Sequence, residues 1–147
     1  MPIGLICAMT EELAVLKEKL NLTQLPAGGP WPMYQSPTGE ILATISGIGK
    51  VNAAACASHL LVNSRVECLI GIGVAGGIAA DLRIGDIIIG TSALQHDFDV
   101  QVAGYEKGVI PRMDVSVFPA DDKLVMMAIE AAESMNARTG KILTGDR

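Results

Sequence analysis

The stretch from Val66 to Ile89, VECLIGIGVAGGIAADLRIGDIII, constrains the fold of this chain more than any other. Two apolar, β-branched runs, Cys68 to Ile72 and Ile87 to Ile89, flank a loop of small residues, and runs of that kind read as strands buried on both faces of a sheet. The loop then lies at the sheet edge. Gly73, Gly76 and Gly77, with Ala75 among them, remove nearly every side chain, so main-chain N–H groups stand bare and a bound molecule can approach within hydrogen-bonding distance. In open α/β sheets that edge is where ligands bind. The plain alternative is a tight reversal, which needs fewer glycines than this.

Gly71, Gly73 and Gly76 also satisfy G-x-G-x-x-G, but a dinucleotide site requires a helix to open at once and an acidic residue about 20 positions further on. Ala79 to Asp86 is too short for a helix that crosses back, and a strand follows directly. A nicotinamide or flavin cofactor is therefore not expected.

A chain of 147 residues, 50% of them apolar, is one domain's worth and can bury a core. Ala, Ile, Val and Gly dominate while aromatics make up 3%, which suits close packing of helices on a parallel or mixed sheet. A formal charge of −5 without a basic run argues against nucleic acid or an anionic membrane as partner and favours a small molecule. Cys7, Cys56 and Cys68 are odd in number, lie in apolar surroundings and lack C-x-x-C spacing, so neither a disulfide framework nor a zinc site is indicated, in keeping with a reducing cytoplasm. The opening residues have no basic n-region and soon meet Glu11 and Glu12, unlike a signal peptide, and no apolar run reaches the roughly 20 residues of a membrane span.

In chain order, Ile3 to Ala8 reads as a first strand. Thr10 is placed to cap a helix from about Glu11, with Leu13, Leu16 and Leu20 on one face. Glu11 and Glu12 then compensate the dipole of a first helical turn, and Glu12 is also a candidate for chemistry because it lies beside a sheet edge. Pro26 to Pro32 is a loop, and Met33 to Gln35 with Ile41 to Ser46 form a hairpin around Pro37-Thr38-Gly39, so the sheet is expected to be mixed. Gly47-Ile48-Gly49-Lys50 leads into an Ala-rich helix to Asn63, where Lys50 either meets an anion or is solvated. A strand from Ile87 to Leu94 runs into His96-Asp97-Phe98-Asp99; alternation along a strand makes His96 and Asp97 diverge, so metal binding is not expected. Gly104 to Arg112 is a loop long enough to be mobile or to reach a partner subunit. Asp121 caps a helix to about Met135, with Leu124, Met127 or Ala128, Ala131 and Met135 facing the core and the methionines filling it. A last strand runs into Thr144-Gly145-Asp146, an ending that leads one to expect further chain beyond it.

Taken together, Gly4-Leu5-Ile6-Cys7-Ala8-Met9-Thr10-Glu11-Glu12, Ser46-Gly47-Ile48-Gly49-Lys50-Val51, Gly73-Val74-Ala75-Gly76-Gly77, Arg83-Ile84-Gly85-Asp86, His96-Asp97-Phe98-Asp99-Val100, Ala120-Asp121-Asp122-Lys123-Leu124 and Thr144-Gly145-Asp146 resemble the 5′-methylthioadenosine/S-adenosylhomocysteine nucleosidases of the nucleoside phosphorylase superfamily. The motifs run in family order along the whole chain, which resembles roughly the first three-fifths of a member. The resemblance implies a single, incomplete α/β domain over residues 1–147, a three-layer α/β/α sandwich with a twisted mixed β-sheet. It further implies hydrolysis of the N-glycosidic bond with release of adenine, without metal or cofactor, in a homodimer.

Such a bond breaks through an oxocarbenium-like state, so a base must orient water on one side of the sugar and an acid must neutralise the leaving group on the other. By resemblance, Glu12 is the water-activating glutamate. Ala8 and Met9 line the active site, Val74 lies beside the sugar and water, Ala75 and Gly76 face the purine, and Ile48 and Pro111 line the 5′-substituent pocket near the dimer interface. Val74 replaces the Ser of most members, and Ala103 replaces an aromatic that closes the 5′ pocket. The family's purine-binding Phe-Ile loop, its ribose-binding Met-Glu pair and its Ser-Asp acid match nothing up to Arg147, so these residues alone are expected to be nearly inactive. The alternatives are another purine nucleosidase, such as one for futalosine, a nucleoside phosphorylase, or a non-catalytic fragment. Against phosphorolysis, an acid at the nucleophile site repels phosphate.

Overall fold

The apolar run at the start of the chain becomes the central strand of a sheet. In the computed structural model, which describes residues 2–146, β1 (Ile3–Cys7) pairs in parallel with β4 (Ile41–Ile45) on one side and β5 (Cys68–Gly71) on the other. The expected hairpin is present: β3 (Met33–Gln35) runs antiparallel to β4 across a turn in which Gly39 has a φ of 74°. A short β2 (Thr23–Gln24), a polar pair with no strand signal of its own, extends this mixed sheet to the order β2-β3-β4-β1-β5. By grouping of contacts the chain forms two compact units, one reaching Ala75 and the other beginning at Gly76.

Strand alternation makes the first unit three-layered. Leu5 and Cys7 of β1 face α1 (Thr10–Lys19) and pack with Leu13, Leu22, Tyr34 and Ala43. Ile6 and Leu42 face the other way, toward Leu60 of α2 (Lys50–Asn63), with Val66 and Leu69. A Cβ at Gly4 would lie 2.4 Å from Leu69 Cδ2 and 2.9 Å from Leu60 Cδ2, so the glycine lets α2 sit close on the sheet. Burying a leucine such as Leu13 or Leu60 stabilises the unit by roughly 1.5–3 kcal/mol each. β5 is the edge strand, and its residues are half-exposed rather than buried on both faces.

The second unit holds β6 (Ile87–Gln95) between β8 (Ala137–Thr144), parallel, and β7 (Val117–Pro119), antiparallel. α3 (Asp122–Ala131) lies against β6, and its expected cap is present: Asp121 Oδ1 accepts from Lys123 N at 2.9 Å and Leu124 N at 3.0 Å. The helix stops at Ala131, short of Met135. Its inward stripe is Leu124, Val125, Ala128 and the following Ala132, so Met126, Met127 and Met135 are exposed and do not fill a core. Leu124 and Ala128 face inward as expected, whereas the stripe continues to Ala132 in place of Ala131 and Met135.

His96 and Asp97 also differ from expectation. β6 ends at Gln95, so both lie in a turn where strand alternation no longer applies, and both face Gly145. A Cβ there would sit 2.6 Å from His96 Nε2 and 2.9 Å from Asp97 Cγ, and Asp97 Oδ2 accepts from Asp146 N at 2.5 Å.

Candidate active site

The first unit builds its site where β1 ends. Met9, extended at φ −129° and ψ 155°, caps α1, which begins at Thr10 rather than being capped by it. A methionine has no oxygen to offer the first helical turn. The carboxylate of Glu12, three residues into the helix, instead turns back on the chain, the reciprocal half of a capping box. Its Oε2 accepts from Ala8 N at 2.8 Å and Met9 N at 3.0 Å.

The other oxygen reaches across the sheet. Glu12 Oε1 accepts from Val74 N at 3.0 Å, joining the turn after β1 to the glycine loop after β5, 62 residues away in sequence. This requires Gly73, because a Cβ there would lie 2.6 Å from Oε1. An ionised carboxylate has about four lone-pair positions, and three are taken by main-chain N–H groups. The fourth belongs to Oε1, on the side of the exposed glycine loop, and Glu12 itself is only partly buried. The group is thus fixed in direction by three main-chain donors and left with one acceptor position for a water.

Beneath it, burial pushes the Cys7 thiol up from its ordinary value, and the charge of Glu12 adds to the rise. Cys56 is raised by burial too, against a hydrogen bond to Thr44 that lowers it. Both stay protonated at neutral pH and present no thiolate.

Of the residues singled out in the sequence, Ala8, Met9, Glu12 and Val74 meet through these hydrogen bonds. Ala75 is exposed next to Val74, which is itself 80% exposed. Ile48, 72% exposed, tops the turn after β4 between Gly47 at φ 82° and Gly49 at φ 106°, with its carbonyl accepting from Asn52 Nδ2 at 2.8 Å. Gly76 and Pro111 belong to the second unit: Gly76 is exposed, and Pro111 is half-buried before Arg112, which has a φ of 62°. Among the described residues, no group of three or more His, Cys, Asp or Glu side chains is arranged to hold a metal. Gly73 was read as one of the loop glycines that allow close approach but not as a site residue; what approaches it is the Glu12 carboxylate of the chain itself.

A mixed α/β sheet that presents a directed carboxylate and bare main chain at its strand ends is a nucleoside phosphorylase-like fold. The chain belongs to the phosphorylase superfamily, whose family model matches residues 2–147. Over 98% of its length it is 38% identical to the 5′-methylthioadenosine/S-adenosylhomocysteine nucleosidase of Staphylococcus carnosus, and it spans 64% of that protein. Among solved structures it is similar to the nucleosidase from Neisseria meningitidis in complex with methylthio-immucillin-A, with a TM-score of 0.88 and 32% identity over 99% of this chain and 65% of that one. The nucleosidase from Colwellia psychrerythraea in complex with adenine gives 0.89 and 36%, covering 100% of this chain and 63% of that one. A futalosine hydrolase mutant of Helicobacter pylori gives 0.89 and 27%, covering 100% and 66%.

Proposed function

We propose that the protein containing these residues hydrolyses the N-glycosidic bond of 5′-methylthioadenosine or S-adenosylhomocysteine and releases adenine, with Glu12 activating the water. The observation that supports this most is the Glu12 carboxylate held by Ala8 N, Met9 N and Val74 N with one acceptor position open. As the bond to the purine lengthens, positive charge grows on the ribose. A fixed anion then both attracts that charge and takes the proton of the attacking water. By the resemblance, Ala75 and Gly76 face the purine, Val74 lies beside the sugar and water, Ala8 and Met9 line the active site, and Ile48 and Pro111 line the pocket for the 5′-group. No metal or cofactor enters this scheme.

The reading extends to a homodimer. Val51, Ala54, Ala55, Ser58, Leu61 and Val62 recur at helical spacing on the outward side of α2, all exposed, and the helix carries no Asp, Glu, Lys or Arg from Val51 to Asn63. We place the enzyme in cytoplasmic methionine salvage, in keeping with three free cysteines; among the described residues no helix is long and apolar enough to cross a membrane.

A second reading, a nucleosidase for a bulkier substrate such as futalosine, is favoured by the likeness to the futalosine hydrolase and by Ala103, exposed where the resemblance leads one to expect an aromatic. Product analysis in phosphate-free buffer separates the readings. Adenine and free methylthioribose from methylthioadenosine are expected. A requirement for phosphate would make the protein a phosphorylase, and faster base release from futalosine would favour the second substrate.

A further inference from the structure

We propose that Ser46 is a positioning residue for Glu12, acting through the peptide group between Cys7 and Ala8; the inference rests on the hydrolytic role of Glu12 proposed above. The two ends of that one peptide group are both engaged. Its carbonyl, on Cys7, accepts from Ser46 N at 2.8 Å and from Ser46 Oγ at 3.3 Å. Its N–H, on Ala8, donates to Glu12 Oε2 at 2.8 Å. A peptide group is planar, so whatever fixes the carbonyl also aims the N–H at the carboxylate. Donation to the carbonyl polarises the same group and strengthens the bond its N–H makes.

Ser46 is itself held on every side. It is 4% exposed, its single hydroxyl proton is shared between Cys7 O and Gly47 O, the latter at 2.9 Å, and its carbonyl accepts from Trp31 Nε1 at 3.1 Å. The segment bearing Trp31 is pinned in turn by Thr44 Oγ1, which donates to Pro32 O at 3.0 Å. A chain of hydrogen bonds thus runs from the Pro-rich loop through the end of β4 to the peptide that grips the carboxylate. Removing the hydroxyl leaves Ser46 N as the remaining donor from this residue to that carbonyl, which loosens the peptide without releasing it, and a small tilt moves the open acceptor position of Oε1 away from its water.

The test uses the protein expressed from its native reading frame. Ser46→Ala is expected to lower kcat for adenine release by about 10- to 100-fold with KM changed less than about twofold. Ser46→Thr, which keeps the hydroxyl, is expected to recover most of the loss, and Ser46→Ala introduced into Glu12→Gln to cost little more. Trp31→Phe, which deletes the indole donor together with part of the ring that meets His59, is expected to give the same pattern at smaller amplitude. Equal losses in the wild-type and Glu12→Gln backgrounds would show Ser46 acting through general stability, and that overturns the proposal. Amide exchange at Ala8 is a measure independent of turnover: it is expected to accelerate in Ser46→Ala while Leu5, buried in the same strand, is unchanged. Unaltered exchange at Ala8 overturns the proposal as well. Accelerated exchange at Ala8 in a protein that releases no adenine would leave the positioning role standing and sink the hydrolase reading alone.

Discussion

Gly73 is where a single atom decides most. An added Cβ would lie 2.6 Å from Glu12 Oε1, and the group in its way is the tip of a flexible side chain rather than backbone. The carboxylate can swing aside at little cost to the fold, but only by giving up its bond to Val74 N. Gly73→Ala is therefore expected to keep its melting temperature within a few degrees while losing about 10²–10⁴ in kcat/KM for adenine release, the worth of a general base; paired thermal melts and kinetics check both halves. At this scale the sequence was partly legible. Glu12 was visible because it lies where a strand gives way to a helix beside a sheet edge. Thr10 was misplaced as the cap because residue type outweighed geometry: the cap lies at Met9, the residue from which Glu12 is the third helical position. Ser46 gave no signal, since its role depends on a partner 39 residues away that no local pattern reveals.

Helix ends show the same division between local and distant causes. Asp121 was readable as a cap because an aspartate before a periodic apolar run serves its own first turn, and its Oδ1 does accept from Lys123 N and Leu124 N. Asp121→Ala is expected to cost about 1 kcal/mol, seen as a lower urea midpoint and faster amide exchange in the first turn of α3. The far end of α3 was not readable, because Ala132 to Asn136 continue an apolar pattern in turns that the helix does not include. Among strands, apolar runs announced β1, β5 and β6, and Pro-Thr-Gly announced the hairpin. β2 did not announce itself: Thr23 and Gln24 become a strand only because β3 has an open edge to pair with. His96 and Asp97 were misjudged for want of one boundary, the end of β6 at Gln95, beyond which facing positions are set by the turn.

For the whole molecule, the outward side of α2 and the carboxylate at position 12 lead to separate tests. Val51 is 82% and Val62 78% exposed on a face without charge, and a second copy covering it would remove that apolar surface from water. Val62→Glu is expected to shift the protein from dimer to monomer in light scattering at micromolar concentration, and an unchanged mass would move the interface elsewhere or remove it. Hydrolysis by this protein depends on Glu12 as the group proposed to activate water, and the most direct measurement is single-turnover release of adenine from 5′-methylthioadenosine by Glu12→Gln beside the wild type, with amide exchange as the control for folding. The carboxamide preserves size and can still accept from Ala8 N and Met9 N but cannot take a proton from water. A fall of about 10²–10⁴ in the rate with native exchange is the expected result; a rate within tenfold of wild type would contradict the assignment.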